Sequence, residues 1–184
     1  DLCVFDLCDF FPLENNTSCN LESSVQRPYQ VGDQLACEDI QTIFTSCYPI
    51  CDNSFNFLDF EGSVFWLIYE EDWWISCFHE IPEVEEIILE FINNENVVII
   101  NVLGDSTEHP YTCEDWGVEG IQGMPIIIDD LDESQGSYII ANWFGITEDP
   151  PKHLFIDHNF NYYAKMENHN NAKEIIEEML ENLD

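Results

Sequence analysis

The sequence predicts an α/β fold, and three observations carry that expectation. Residues 63–69 (S-V-F-W-L-I-Y) and 96–103 (N-V-V-I-I-N-V-L) are near-continuous apolar runs. Strands buried on both faces read this way. Between them, Ile81, Val84, Ile87, Ile88, Phe91 and Ile92 recur at helical spacing, with Glu83, Glu85, Glu86 and Glu90 on the other positions. That is an amphipathic helix. Six of the eight cysteines lie in the first 51 residues. A dense, even set of this kind reads as a disulfide framework.

The remaining elements follow in order. Residues 1–56 hold turn residues such as Pro28, Gly32 and Pro49 and few aliphatic runs, which predicts a Cys-rich, stapled N-terminal extension. Within it, residues 2–11 are apolar and aromatic between Asp1, Asp6 and Asp9. They suit an edge strand, or an arm that pairs with a second molecule through unpaired backbone groups. Residues 57–184 form the main domain. After its first two strands, residues 125–128 predict a short third strand and 136–144 a helix. Residues 152–157 and 160–166 predict a hairpin turning at His158-Asn159. Ala172, Ile175, Ile176, Met179, Leu180 and Leu183 form the stripe of a closing helix. Strands alternating with helices indicate an α/β fold, with strands that have a helix on each side.

Composition excludes several functions. With 45% hydrophobic and 14% aromatic residues the chain is no disordered acidic tail. Its 38 Asp and Glu against 4 Lys and Arg give a formal charge of −34. That field excludes nucleic acid and disfavours anionic membrane surfaces. No apolar run reaches the ~18–20 residues of a membrane span. Suitable ionic partners are cations, Ca²⁺ above all, and basic protein surfaces. The chain starts at Asp1 without Met, which reads as a leader already removed. Asn15 and Asn16 head overlapping glycan acceptor triplets. With the cysteines, these features predict a secreted protein, extracellular or periplasmic.

The chemistry centres on one junction. The strand at 63–69 runs into Glu70-Glu71-Asp72-Trp73-Trp74-Ile75-Ser76-Cys77, and a helix follows with Pro82 five residues after Cys77. This resembles the thioredoxin-like superfamily in its redoxin branch, where strand, Trp-Cys-x-x-Cys and a proline-kinked helix succeed one another. Pro151-Lys152-His153-Leu154-Phe155-Ile156-Asp157 looks like that family's cis-proline loop and following strand. Met124-Pro125-Ile126-Ile127-Ile128-Asp129 is similar to a strand of the peroxiredoxin and TlpA/ResA-like members. The resemblance covers about residues 55–184 and implies a thioredoxin-like mixed sheet flanked by helices.

It also implies a degenerate redox site at Trp74, Cys77 and Pro151. Trp74 stands where the family has its attacking cysteine, and Cys77 takes the resolving position. A dithiol cycle needs both sulfurs. Glu70, Glu71 and Asp72 add negative charge at the helix start, which disfavours a thiolate. Peroxidases of this branch pair Thr-x-x-Cys with a later Arg, and the only arginine here is Arg27, outside the resemblance. Cys77 is therefore expected to be structural, in a disulfide set with Cys3, Cys8, Cys19, Cys37, Cys47, Cys51 and Cys113. The resemblance names Cys113 as its partner, because the loop after the second strand of that fold passes near the helix.

Other motifs are weaker. Asp129, Asp130, Asp132 and Glu133 offer several oxygens for Ca²⁺. Residues 157–161 begin like an EF-hand loop, but Tyr162 stands where Gly is needed, so a hairpin turn is expected. The five histidines show no metal-ligand spacing. No other cofactor is implied. The functional expectation is a non-catalytic binding or structural module, a subunit of an extracellular assembly through the N-terminal arm. The alternative is an extracytoplasmic thiol–disulfide oxidoreductase that uses Cys77 or the Cys47/Cys51 pair.

Overall fold

In the computed structural model the described residues are 19, 26–48, 54–71, 75–104, 112–119, 126–132, 137–147 and 149–183. The elements are α1 (Cys37–Ile40), β1 (Phe44–Tyr48), β2 (Ser54–Phe55), a 3-10 turn (Phe57–Phe60), β3 (Val64–Glu71), α2 (Ile75–Phe91), β4 (Val97–Gly104) and α3 (Cys113–Val118). There follow β5 (Ile127–Asp129), β6 (Leu131–Asp132), β7 (Ser137–Tyr138), α4 (Ile139–Phe144), β8 (Lys152–Ile156), β9 (Tyr162–Met166) and α5 (Ala172–Glu181).

Seven strands form one mixed sheet in the order β2-β1-β5-β4-β3-β8-β9. β3 runs parallel to β4, and β4 to β5, whereas β8 and β9 run antiparallel. Every residue of β4 is buried, as its unbroken apolar run predicts. Alternate side chains divide between two cores. Phe65, Leu67 and Tyr69 face a core that also holds Tyr29, Leu35, Phe44 and Phe57, with Trp143 and Phe144 of α4. Val64, Trp66 and Ile68 face the opposite core, under α2 and α5. There Ile81, Val84, Ile88 and Phe91 of α2 meet Ile176 and Met179 of α5.

The described part of residues 1–56 is woven into this sheet. β1 pairs antiparallel with β5 and with β2. Arg27 Nε donates to the buried Asp39 carboxylate at 2.9 Å, and Tyr29 Oη donates to the same carboxylate. Cys19 and Cys37 are joined. The hairpin expected at 158–159 is present between β8 and β9. Asp157 organises it by accepting from the Asn159 and Asn161 backbone N–H groups, each at 2.9 Å.

Candidate functional site

The junction of β3 with α2 forms at one end of the sheet. Tyr69 pairs with Lys152, so Pro151, just ahead of β8, lies at the same end as Glu70 and Glu71. The Pro150–Pro151 peptide is cis. Trp74 lies outside the described residues.

Cys77, on the first turns of α2, points inward and is fully buried. It is the free cysteine among the described residues. Burial pushes its thiol well above the ordinary thiol range, and the nearby Glu70, Glu80 and Glu71 carboxylates add to this; only the Glu71 backbone N–H works the other way. A sulfur held like this rests as a thiol at neutral pH and has to give up its proton as it attacks.

Two expectations about cysteines are corrected. Cys77 is not in a disulfide, and Cys113 is bonded to Cys47. The reason is packing. α3 lies on β1, where Gly117 seats directly on the Tyr48 ring with no room for a Cβ. Cys113 in the first turn of α3 therefore meets Cys47, while Cys77 faces the sheet beneath α2. For the same reason Cys47 does not pair with Cys51. Cys3, Cys8, Cys51, Asn15, Asn16 and the N-terminal arm lie outside the described residues.

Around Cys77 the structure assembles polar groups that no spacing in the sequence reveals. Glu70, at the end of β3, is completely buried, and burial raises its carboxyl to about 8; the Asn101 side-chain amide, which donates to it, only partly opposes this. On the same face of the sheet, His153 of β8 is fully buried. Burial, with the nearby His169, lowers its imidazole to about 3, so the ring is neutral. Trp66 Nε1 donates to His153 Nδ1 at 3.2 Å. His153 Nε2 has no hydrogen-bond partner among the described residues and lies 4.0 Å from Glu80 Oε1. His169, just before α5, meets Glu80 through Nδ1 and Glu83 Oε2 through Nε2, the latter at 3.3 Å.

The acidic loop after β5 has a structural part. Both Asp130 oxygens accept from the start of α4, from Ile140 N at 2.6 Å and Ala141 N at 3.0 Å. Burial raises Asp130 to about 7. Asp129 Oδ1 accepts from Leu131 N at 3.0 Å. The Asp132 side chain and Glu133 lie outside the described residues. Among the described residues, no helix is long and apolar enough to cross a membrane.

No family profile matches the sequence, and no curated protein matches it significantly. Solved structures do match. The exposed lipoprotein thioredoxin of Streptococcus pneumoniae superposes with a TM-score of 0.56 at 13% identity, over 76% of this chain and 98% of its own. A thiol:disulfide interchange protein of Chlorobium tepidum gives 0.55 at 12% identity, over 75% and 94%. A secreted disulfide oxidoreductase of Mycobacterium tuberculosis gives 0.53 at 12% identity, over 78% and 99%. Similarity at this level is similarity of fold. With the seven-stranded mixed sheet between two helical layers, it places this chain among the proteins of thioredoxin-like fold.

Proposed function

We propose that this chain carries out thiol–disulfide exchange outside the cytoplasm, with Cys77 as its buried, resolving sulfur. The carrying observation is that Cys77 is unpaired at the strand-to-helix junction, while the other described cysteines are bonded. Parity supports the reading. Removing Cys77 and the four bonded cysteines from eight leaves Cys3, Cys8 and Cys51. Three sulfurs cannot pair within one chain without leaving one over. That second sulfur takes the entering role that Trp74 cannot. It attacks a substrate disulfide, and Cys77 then displaces the substrate's remaining sulfur. Two electrons pass from the chain to the substrate, the chain ends with a disulfide, and a partner dithiol restores it. The names of the structural neighbours, thiol–disulfide proteins that include a secreted one and an exposed lipoprotein, support the same activity and compartment.

A second reading rests on the complete burial of Cys77 and the carboxylates around it. It makes the chain a binding module, assembling through residues 2–11, glycosylated at Asn15 and Asn16 and bridged by Ca²⁺. A thiol count and an insulin-reduction assay separate the two. Two thiols per native chain, with insulin reduction that disappears in Cys77→Ser, support exchange. A chain that does not reduce insulin, or reduces it equally well as Cys77→Ser, is the binding module.

A further inference from the structure

We infer that Glu80, His153 and His169 form a site for one divalent transition-metal ion of the zinc class, bound through one carboxylate oxygen and two imidazole nitrogens. Their ligand atoms come from three separate elements, α2, β8 and the turn before α5, and lie within 4.8 Å of one another. The inference is independent of the exchange reading, because it uses no sulfur.

The strongest pointer is His153. A fully buried ring nitrogen without a partner is costly, and such groups in native folds call for an explanation. Here Nε2 is aimed at the Glu80 carboxylate without reaching it. An ion between the two satisfies both. The His169 ring is disposed as metal-bound imidazoles are: one nitrogen, Nδ1, faces the shared point at Glu80, and the other lies 3.3 Å from the Glu83 carboxylate. A metal-ligating histidine commonly donates its second N–H to a carboxylate, which fixes its orientation. The surrounding field of a chain with net charge −34 draws cations in.

The donor set selects the ion. Two imidazoles and one carboxylate suit Zn²⁺, Cu²⁺, Ni²⁺ or Co²⁺, whereas Ca²⁺ and Mg²⁺ require oxygen ligands. Metal–ligand bonds of about 2.0–2.1 Å in tetrahedral geometry place neighbouring ligand atoms about 3.3 Å apart. Glu80 Oε1 must therefore approach His153 Nε2 from 4.0 Å and draw back from His169. Both are rotamer adjustments of a partly exposed glutamate. Three protein ligands leave a fourth position for water or another ligand.

One contact opposes loading. A ring that binds metal through Nε2 carries its proton on Nδ1, the atom that accepts from Trp66. Loading thus breaks the Trp66 hydrogen bond and turns two N–H donors towards each other, so the indole has to shift, and its N–H reports on the site.

The test is a calorimetric titration of the metal-free, disulfide-intact chain with Zn²⁺ in excess Ca²⁺ and Mg²⁺, with the Trp66 indole resonance followed by NMR. One Zn²⁺ per chain is expected, with a shift of the Trp66 resonance. Glu80→Gln and His169→Gln each weaken binding by more than about tenfold. His79→Gln, at an exposed position of the same helix, leaves it unchanged. No stoichiometric binding, competition by Ca²⁺, an unmoved Trp66 resonance, or unchanged affinity in either ligand variant overturns the site and leaves a proton-sharing array of the same side chains. Melting curves of the metal-free variants check folding; both substitutions fall at partly exposed positions, and if one variant fails to fold the other decides.

Discussion

The Asn101 side-chain amide donates to the Glu70 carboxyl from the neighbouring parallel strand, and both residues are completely buried. Asn101 is neutral, so the pair lacks the cation that would hold Glu70 ionised. Glu80 and the Cys77 sulfur lie nearby, and burial leaves Glu70 protonated up to about 8.

This fixes the sign of a pH effect. Between the ordinary carboxyl value of 4.5 and about 8, the folded chain keeps the Glu70 proton and the unfolded chain has lost it. Stability therefore falls as pH rises through that window, by at most about 1.4 kcal/mol per pH unit for this proton. Asp130, raised to about 7, acts in the same direction. Glu70→Gln has no proton to lose. Its melting temperature is expected to gain on the wild type as pH rises from 4.5 towards 8. A difference that stays constant with pH would show that Glu70 is ionised in the folded chain.

Asp39→Asn is expected to destabilise the fold by about 1.5–3 kcal/mol, the range for hydrogen bonds to charged groups. The Asp39 carboxylate accepts from Arg27 and Tyr29 together. Burial of the Tyr29 hydroxyl, with its hydrogen bond to Asp39, raises that phenol to about 12, so Tyr29 remains a donor at any working pH. Chemical denaturation measures the loss, and Asp39→Ala should cost at least as much.

Phe57→Ala is expected to cost about 3–5 kcal/mol. Its ring is completely buried, with centroids 5.1 Å from Phe65, 5.6 Å from Phe44 and 6.1 Å from Trp143. This ring joins the N-terminal strands to the main sheet. A loss below about 1 kcal/mol would mean that the two parts do not share a core.

Replacing Cys47 and Cys113 together by Ser is expected to cost about 4 kcal/mol, because the bond closes a separation of 66 residues. Replacing Cys19 and Cys37 should cost less, about 3 kcal/mol, for a separation of 18. Denaturant midpoints of the two double variants give the order. Peptide mapping of the unreduced protein checks the pairing itself: a Cys77–Cys113 peptide would contradict the connectivity described above.

Much of the fold was legible in the order of residues along the chain. The apolar runs gave β3 and β4 within a residue or two, because a strand covered on both faces needs apolar side chains at successive positions. The stripe from Ile81 to Phe91 marked α2, though the helix starts earlier, at Ile75, where no apolar period announces it. The pairing of cysteines was not legible. It depends on α3 lying over β1, a contact set by the seating of Gly117 on Tyr48 and not by spacing.

The candidate site divides in the same way. The Trp-x-x-Cys junction after a buried strand, and the carboxylates that flank it, are readable in consecutive residues. The inward turn of Cys77 beside Glu70, and the convergence of Glu80, His153 and His169, come from packing across the sheet. Local periodicity follows from the geometry of one helix or one strand, so it is written in neighbouring residues. Convergence of α2, β8 and the turn before α5 follows from strand register and from two helices packing on one sheet face, and no short stretch of chain carries that information.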